Sequence, residues 1–321
     1  MLTVNFDTKT IEADNHILET YRMCEEKYRL MLHEHWVPSS TSPAMAFGIA
    51  MHAARARYKH LLWLDKPTTF DLDKSVNMAI EEGLRTWDHE MPIEMKTEVM
   101  QDDKRSKKNF ERLARGYFAK FGGYDFEPLQ VEIPGKTFLG TTPEGWQMNY
   151  IYTIDELVRY QGRIAPLEFK TTSGFAPPDE RFFSGFHNKA SITGYIWACE
   201  QRFGYDISEA IIHAMWVHSE PKVGSRSKYA LADYFRMGST FRNDAQIEEW
   251  KKNTLLTGDD IVRSVKENRW KRADGLPCLL YDGCTMKQVC ESIPEIRDTL
   301  LNLNYKHKEW NPWLRTQEKT E

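Results

Sequence analysis

The segment 151–172, IYTIDELVRYQGRIAPLEFKTT, constrains the fold of this chain more than any other. Its apolar and β-branched residues are interrupted at Gln161-Gly162 and closed by Thr171-Thr172-Ser173-Gly174, the pattern of two short strands joined by a turn. The first strand is expected to end at Ile154-Asp155 and the second to run over 164–169. Side chains alternate faces along a strand, so Glu168 and Lys170 point one way and Phe169 the other. Asp155, at the end of the neighbouring strand, can reach the same spot. Two carboxylates and an ammonium converging on one sheet edge can hold a hard divalent metal and polarise a water beside it. A Glu-x-Lys on a strand is by itself commonly a solvated face with a weak cross-pair. The aspartate thirteen residues before Glu168, across a turn, lifts this one above that background.

With 321 residues there is room for one large domain or two modest ones, and 41% hydrophobic residues, including ten Trp and sixteen Phe, are ample for a core. No apolar run approaches the roughly 20 residues of a membrane span. The first sixteen residues have neither a basic start nor an apolar centre, so no signal peptide is read there and a cytoplasmic protein is expected. The net charge of −4 gives no global argument for a nucleic-acid partner, so that case must rest on local patches. Five cysteines without an export signal suggest metal or cluster ligation before disulfides.

Helical spacing of Ile17, Tyr21, Cys24, Tyr28, Met31 and His35 predicts one helix over 14–35, capped by Asp14 or Asn15. A Ser/Thr/Pro linker over 38–43 leads to a second helix over 44–62, with Phe47, Met51, Ala54, Tyr58 and Leu61 on one stripe. Gly48 and His52 share an adjacent stripe, where the glycine admits a close backbone and leaves the imidazole room; an ordinary core or surface histidine reads equally well. Helices are expected over 72–88 and 104–121. The latter carries Lys104, Arg105, Lys107, Lys108, Arg112, Arg115 and Lys120 against one acid, Glu111, which makes it the best candidate for tracking phosphates.

From Leu129 the period changes to two, with a turn expected at Pro134-Gly135 and a long strand over 145–155. A helix over 185–203, strands over 210–217 and 230–237, and a charged helix over 241–272, breakable at Gly258, follow. The last thirty residues read as a polar, loose tail.

Cys278, Cys284 and Cys290 are spaced six apart in a turn-rich loop. A tetrahedral site needs a fourth ligand, and Cys24 and Cys199 are the candidates. The loop lacks the paired C-x-x-C knuckles of structural zinc, whereas a [4Fe–4S] cluster tolerates one thiolate from far away in sequence.

Taken together, these residues resemble the RecB-like branch of the PD-(D/E)xK nuclease superfamily. The iron–sulfur exonucleases, typified by the CRISPR-associated RecB-like nuclease and the AddB nuclease domain, are the most similar. In that family an N-terminal helix carries a cysteine followed by an aromatic and a basic residue, matched by Cys24-Glu-Glu-Lys-Tyr28-Arg. A G-x-x-x-H motif is matched by Gly48-Ile-Ala-Met-His52, the strand-end metal aspartate by Asp155, and the (D/E)-x-K by Glu168-Phe-Lys170. The closing cysteines are matched by Cys278, Cys284 and Cys290. The order is consistent from residue 15 to about 290. Of the family's Q-x-x-x-Y, Tyr195 is present but Ser191 stands where Gln would be; the first two closing cysteines are also further apart than usual.

The resemblance implies a restriction-endonuclease-like α/β fold, a mixed central sheet flanked by helices, in a single nuclease domain over 1–321. Its parts would be a helical N-terminal portion over 15–125, a nuclease core over 126–240, a helix and cluster loop over 241–303 and a tail over 304–321. It implies Mg²⁺ or Mn²⁺ held by His52, Asp155, Glu168 and the Phe169 carbonyl, with Lys170 catalytic. It also implies a [4Fe–4S] cluster on Cys24, Cys278, Cys284 and Cys290, leaving Cys199 as a core thiol. The substrate would be DNA, single-stranded or end-containing, contacted by the 104–115 cations and Tyr195, with protein partners in recombination, CRISPR adaptation or phage DNA processing. The competing readings are a non-catalytic DNA-binding or assembly subunit that keeps the fold and cluster, and a zinc-stapled α/β protein with an accidental Glu-x-Lys.

Overall fold

The computed structural model describes residues 4–64, 71–91, 104–123, 126–221, 229–279 and 283–313. Its elements, in chain order, begin with β1 (Val4–Asn5), β2 (Thr10–Ala13), α1 (Asn15–Met23), α2 (Glu25–Tyr28), β3 (Trp36–Pro38) and α3 (Pro43–Lys59). Then come α4 (Leu72–Glu90), α5 (Lys107–Phe121), β4 (Phe126–Thr141), β5 (Gln147–Tyr160), β6 (Arg163–Thr172), α6 (Glu180–Ser184) and α7 (Ala190–Phe203). The chain continues through β7 (Glu209–Trp216), β8 (Phe235–Phe241), α8 (Asp244–Glu267), α9 (Lys287–Glu291), α10 (Pro294–Asn304) and β9 (Tyr305–His307). The architecture is α/β, a mixed sheet flanked by helices.

Two compact units interleave along the sequence: Met1–Ser39, Pro134–Thr153 and Asp244–Glu321 form the first, and Ser40–Ile133 and Ile154–Asn243 the second. In the first, β1 and β2 pair antiparallel and β2 pairs parallel with the start of β5, Ile11 opposite Met148. Helix α1 lies on α8, tied by Tyr21 Oη to the Asp260 carbonyl (2.9 Å) and Ser264 Oγ (2.8 Å).

In the second unit the expected hairpin forms. Gln161 and Gly162 have φ of +49° and +80°, the two positive angles of a type I′ turn, which matches strand twist and joins β5 to β6 antiparallel. β6 pairs parallel with β7, Glu168 opposite Ile212, and β7 antiparallel with β8. Helix α3 is capped by the Ser42 side chain, begins at Pro43 and buries Phe47, Met51, Ala54 and Tyr58, the predicted stripe. It packs with α4 and α5 over Leu167, Phe169 and Met215 in one apolar core.

Several expectations are corrected. The helix over 14–35 breaks at Cys24, whose backbone is extended (φ −165°, ψ 111°); α1 ends there, α2 starts there, and a π-helical turn over Arg29–His33 follows. No turn forms at Pro134-Gly135: β4 runs straight through, Gly135 lies against the Tyr152 ring, and the positive φ falls instead at Glu132 (+48°). β5 continues past Asp155 to Tyr160. Helix α8 is unbroken at Gly258, which sits against Ile11 and Met148; a Cβ there would come 3.1 Å from each. The helix expected over 185–203 is shortened to α7, and β8 begins later than expected, after a 3₁₀ turn over Leu231–Tyr234. The residues before 314 are not a loose tail: β9 pairs with β3 and Trp310 Nε1 donates to Asp14 Oδ2 at 2.7 Å. Among the described residues no helix is long and apolar enough to cross a membrane.

Candidate functional site

Asp155 sits where β5 and β6 part. Their ladder runs from Tyr160↔Arg163 to Glu156↔Leu167 and stops. The next β6 N–H facing β5, that of Phe169, has no backbone acceptor across the gap, and Asp155 Oδ2 accepts it at 2.8 Å. The carboxylate thus replaces a rung of the sheet, which fixes its position from backbone geometry alone. His52 on α3 brings Nδ1 to 3.3 Å from Asp155 Oδ1 and sets its ring edge-on to Phe169. One turn earlier, Gly48 faces Thr171; a Cβ there would meet Thr171 Oγ1 at 3.4 Å, ordinary contact that marks the close approach without enforcing it.

Glu168 is buried and paired with Lys170 on the same strand face, as alternation requires. Burial pushes the Glu168 carboxyl above its ordinary range; Lys170 opposes that shift and Asp155 adds to it. Burial acts on Asp155 in the same direction, but His52, Arg55 and Lys170 together hold it well below the usual carboxylate range. The pair is therefore one firmly ionised carboxylate beside one that resists a second negative charge. Two hard oxygen donors that repel each other, with an imidazole at hand, suit a divalent cation of the Mg²⁺ or Mn²⁺ type. Among the described residues no three His, Cys, Asp or Glu side chains are already gathered tightly around one point.

Behind this edge lies a group of residues the sequence reading missed. Arg55, 2% exposed, pairs with the buried Glu156, stands 4.0 Å from Asp155 Oδ2 and stacks over the Phe169 ring at 4.3 Å. Its Nε donates to Tyr117 Oη at 2.9 Å, and Tyr117 Oη meets His213 Nδ1 at 2.8 Å. Lys59 is buried nearby and donates to the Phe126 carbonyl at 3.3 Å. The available signal was an arginine three residues after His52 in an Ala-rich run, on the face that carries the core stripe.

The basic run divides among intramolecular partners. Arg105 Nη2 donates to Ser173 Oγ at 3.2 Å, just beyond β6. Lys107 pairs with Asp88, Lys108 with Glu220, Arg112 with the His218 carbonyl, and Arg115 with Asn77. Lys120 donates to the Ala232 and Phe235 carbonyls. Acids and carbonyls from elsewhere in the fold break up what reads in sequence as a bare cationic face. Tyr195 is half-buried on α7.

The cysteines separate cleanly. Cys199 is fully buried on α7 among Ile192, Ile196 and Trp197, and burial pushes its thiol up to about 12. Cys24 lies instead against the segment that leads into the trio: its Sγ accepts the N–H groups of Lys27 and Ala273, each at 3.4 Å. Cys278 Sγ reaches the Ala273 carbonyl at 3.8 Å, and Cys284 N donates to the Cys278 carbonyl at 3.0 Å. Burial raises the Cys290 thiol, Arg272 pulls it back, and Glu26 and Cys24 raise it further, so Cys24 and Cys290 lie within electrostatic reach of each other. Cys24, Cys278, Cys284 and Cys290 are half-buried free thiols; Cys284 and Cys290 pack on Leu30, Met286, Val289 and Tyr305. Backbone N–H groups aimed at the Cys24 sulfur are donors that a thiolate draws.

No protein-family profile and no curated protein matches the chain. A solved structure from Eubacterium rectale, provisionally named an exonuclease, is similar to it with a TM-score of 0.40 and 12% identity, over 89% of this chain and 90% of that one.

Proposed function

We propose that this chain is a metal-dependent deoxyribonuclease of the RecB-like PD-(D/E)xK type, acting on DNA ends and carrying a structural [4Fe–4S] cluster. The observation that carries the reading is Asp155 filling the opened rung beside Phe169, with Glu168-x-Lys170 on the same strand and His52 in contact. Asp155, Glu168, the Phe169 carbonyl and His52 would hold Mg²⁺ or Mn²⁺. When bound, the ion would supply Lewis-acid polarisation of the scissile phosphate and a more acidic water. Lys170 is the group that orients the attacking water and balances charge growing on the phosphate oxygens. Arg55 acts through Asp155, as a positioning residue: it holds the carboxylate ionised and fixes Phe169 beneath it.

Cys24, Cys278, Cys284 and Cys290 would hold the cluster. Its role on this reading is to tie α1 and α2 to the loop some 250 residues later, a long closure to secure. Partners in recombination, CRISPR adaptation or phage DNA processing fit such an activity.

The test is anaerobic purification followed by a Mn²⁺-dependent assay on end-labelled single- and double-stranded DNA. Cleavage lost in EDTA is expected. DNA binding without cleavage at any metal would sink the catalytic reading in favour of a binding subunit.

A further inference from the structure

The loop between β6 and α6 holds an aromatic ring out in water. Phe175 is 107% exposed, the most exposed large apolar side chain among the described residues. Its backbone is anchored on both sides. Trp216 Nε1 donates to the Gly174 carbonyl at 2.7 Å, and Val217 N to the Thr172 carbonyl at 2.6 Å. After it, Pro177 and Pro178 are buried, and Asp179 caps α6 through Phe182 N at 3.1 Å. Two prolines fix their own φ angles, so the loop is stiff as well as tethered. A ring on such a loop is displayed by a defined backbone.

We infer that Phe175 is a stacking platform for a nucleobase of a single-stranded DNA end entering the site at Asp155 and Lys170. The inference rests on the nuclease reading above and adds its substrate class. Position supports it: Phe175 is five positions after Lys170, so their Cα atoms are at most about 18 Å apart, the span of a few nucleotides. Charge supports it too, because Arg105, which donates to Ser173 Oγ, sets a cation beside this loop. The chemistry selects the strand state. In a duplex each base face is covered by its neighbours, whereas a single-stranded or frayed end presents a free π-face to an exposed aromatic.

The experiment compares wild type, Phe175→Ala and Phe175→Trp on a labelled single-stranded oligonucleotide and a blunt duplex of equal length. Binding is read by fluorescence anisotropy with calcium in place of manganese, and cleavage is assayed in parallel with manganese. Phe175→Ala should weaken single-strand binding about 5- to 150-fold, the range of one lost base–aromatic stack. Blunt-duplex binding and the melting temperature should stay unchanged, and Phe175→Trp should restore affinity. The slope of log affinity against log salt should also hold, since no charge is removed. Equal single-strand binding by wild type and Phe175→Ala, with both still cutting DNA, overturns the stacking role and leaves the nuclease reading intact. An equal loss on both substrates overturns the single-strand assignment. Wild type that neither binds nor cuts DNA overturns both readings together.

Discussion

The two candidate centres are built in opposite ways. In the second unit the carboxylates stand at the rim of a core that contains its own charges: Arg55, Glu156, Lys59 and His213 are each 4% exposed or less, surrounded by Phe169, Tyr117, Phe121 and Phe126. Their positions are over-determined by packing and by strand register. In the first unit the four cysteines are half-buried: Cys24 at the α1–α2 break, Cys278 in a 3₁₀ turn, and Cys284 and Cys290, just before and within α9, on an apolar cluster of only a few side chains. Among the described residues no three of these thiols are gathered around one point, and few side chains pack around them. A preorganised site tolerates loss of its ligand and fails when its packing is disturbed. A site of the second kind depends on what it binds.

The largest effect should come from the rim residues, where fold and chemistry can be separated. Asp155→Asn keeps an acceptor for Phe169 N, and Lys170→Ala removes a half-exposed ammonium, so neither should unfold the unit. Each, like Glu168→Ala, is expected to lower manganese-dependent cleavage about 10³-fold, the scale of a lost charge-stabilising group. Full activity in all three would dismantle the proposed site. The proposed cluster predicts a brown wild type on anaerobic purification; Cys24→Ser should then lose the colour, while Cys199→Ala keeps it. A Cys24→Ser protein that stays brown would remove Cys24 from the ligand set.

The next effect probes the packed charges directly. Arg55→Met removes the cation paired with Glu156 and leaves that buried carboxylate with only Lys59 to offset its charge, a change worth about 3–5 kcal/mol. Glu156→Gln in the same chain should recover much of that loss in urea unfolding. Activity should not recover with it, because Asp155 would still lack Arg55 beside it. Recovery of both would make Arg55 merely structural.

How legible this was in the sequence follows from the range of the forces involved. Strand alternation and the Gln161-Gly162 turn are local, so Glu168, Lys170 and the hairpin could be read directly. Asp155 was read as a strand end because the splitting of β5 from β6 is a property of two strands together. Cys24 keeps the helical period on both sides, so its break was invisible: the sulfur caps Lys27 N, and the segment across from it, at Ala273, is some 250 residues away. Pro134-Gly135 carries a turn signature, yet Gly135 is there to admit the Tyr152 ring. Arg55 was missed for the same reason, since nothing near it in sequence announces Glu156.

The smallest predicted effect belongs to His213 and follows from the direction of one proton. Arg55 Nε donates to Tyr117 Oη, leaving the tyrosine hydrogen free to bond His213 Nδ1. The imidazole is then neutral with its proton on Nε2, which finds no hydrogen-bond partner among the described residues. Burial, followed by Arg55 and Lys59, lowers the His213 pKa well below its ordinary value. An unfolded chain takes up a proton at this residue as pH falls through about 6.5, while the native state does not. The unfolded state then binds more protons, so stability rises with pH across that window; the contribution is present above about 6.5 and is lost on acidification. One such site gives a slope of at most about 1.4 kcal/mol per pH unit. Urea unfolding of wild type and His213→Phe between pH 5 and 8 isolates it, because the other histidines titrate equally in both chains. The difference between the two curves should move in favour of His213→Phe as the pH drops. A difference that stays flat would mean that His213 takes up a proton as readily in the native core as in the unfolded chain, despite Arg55 and Lys59.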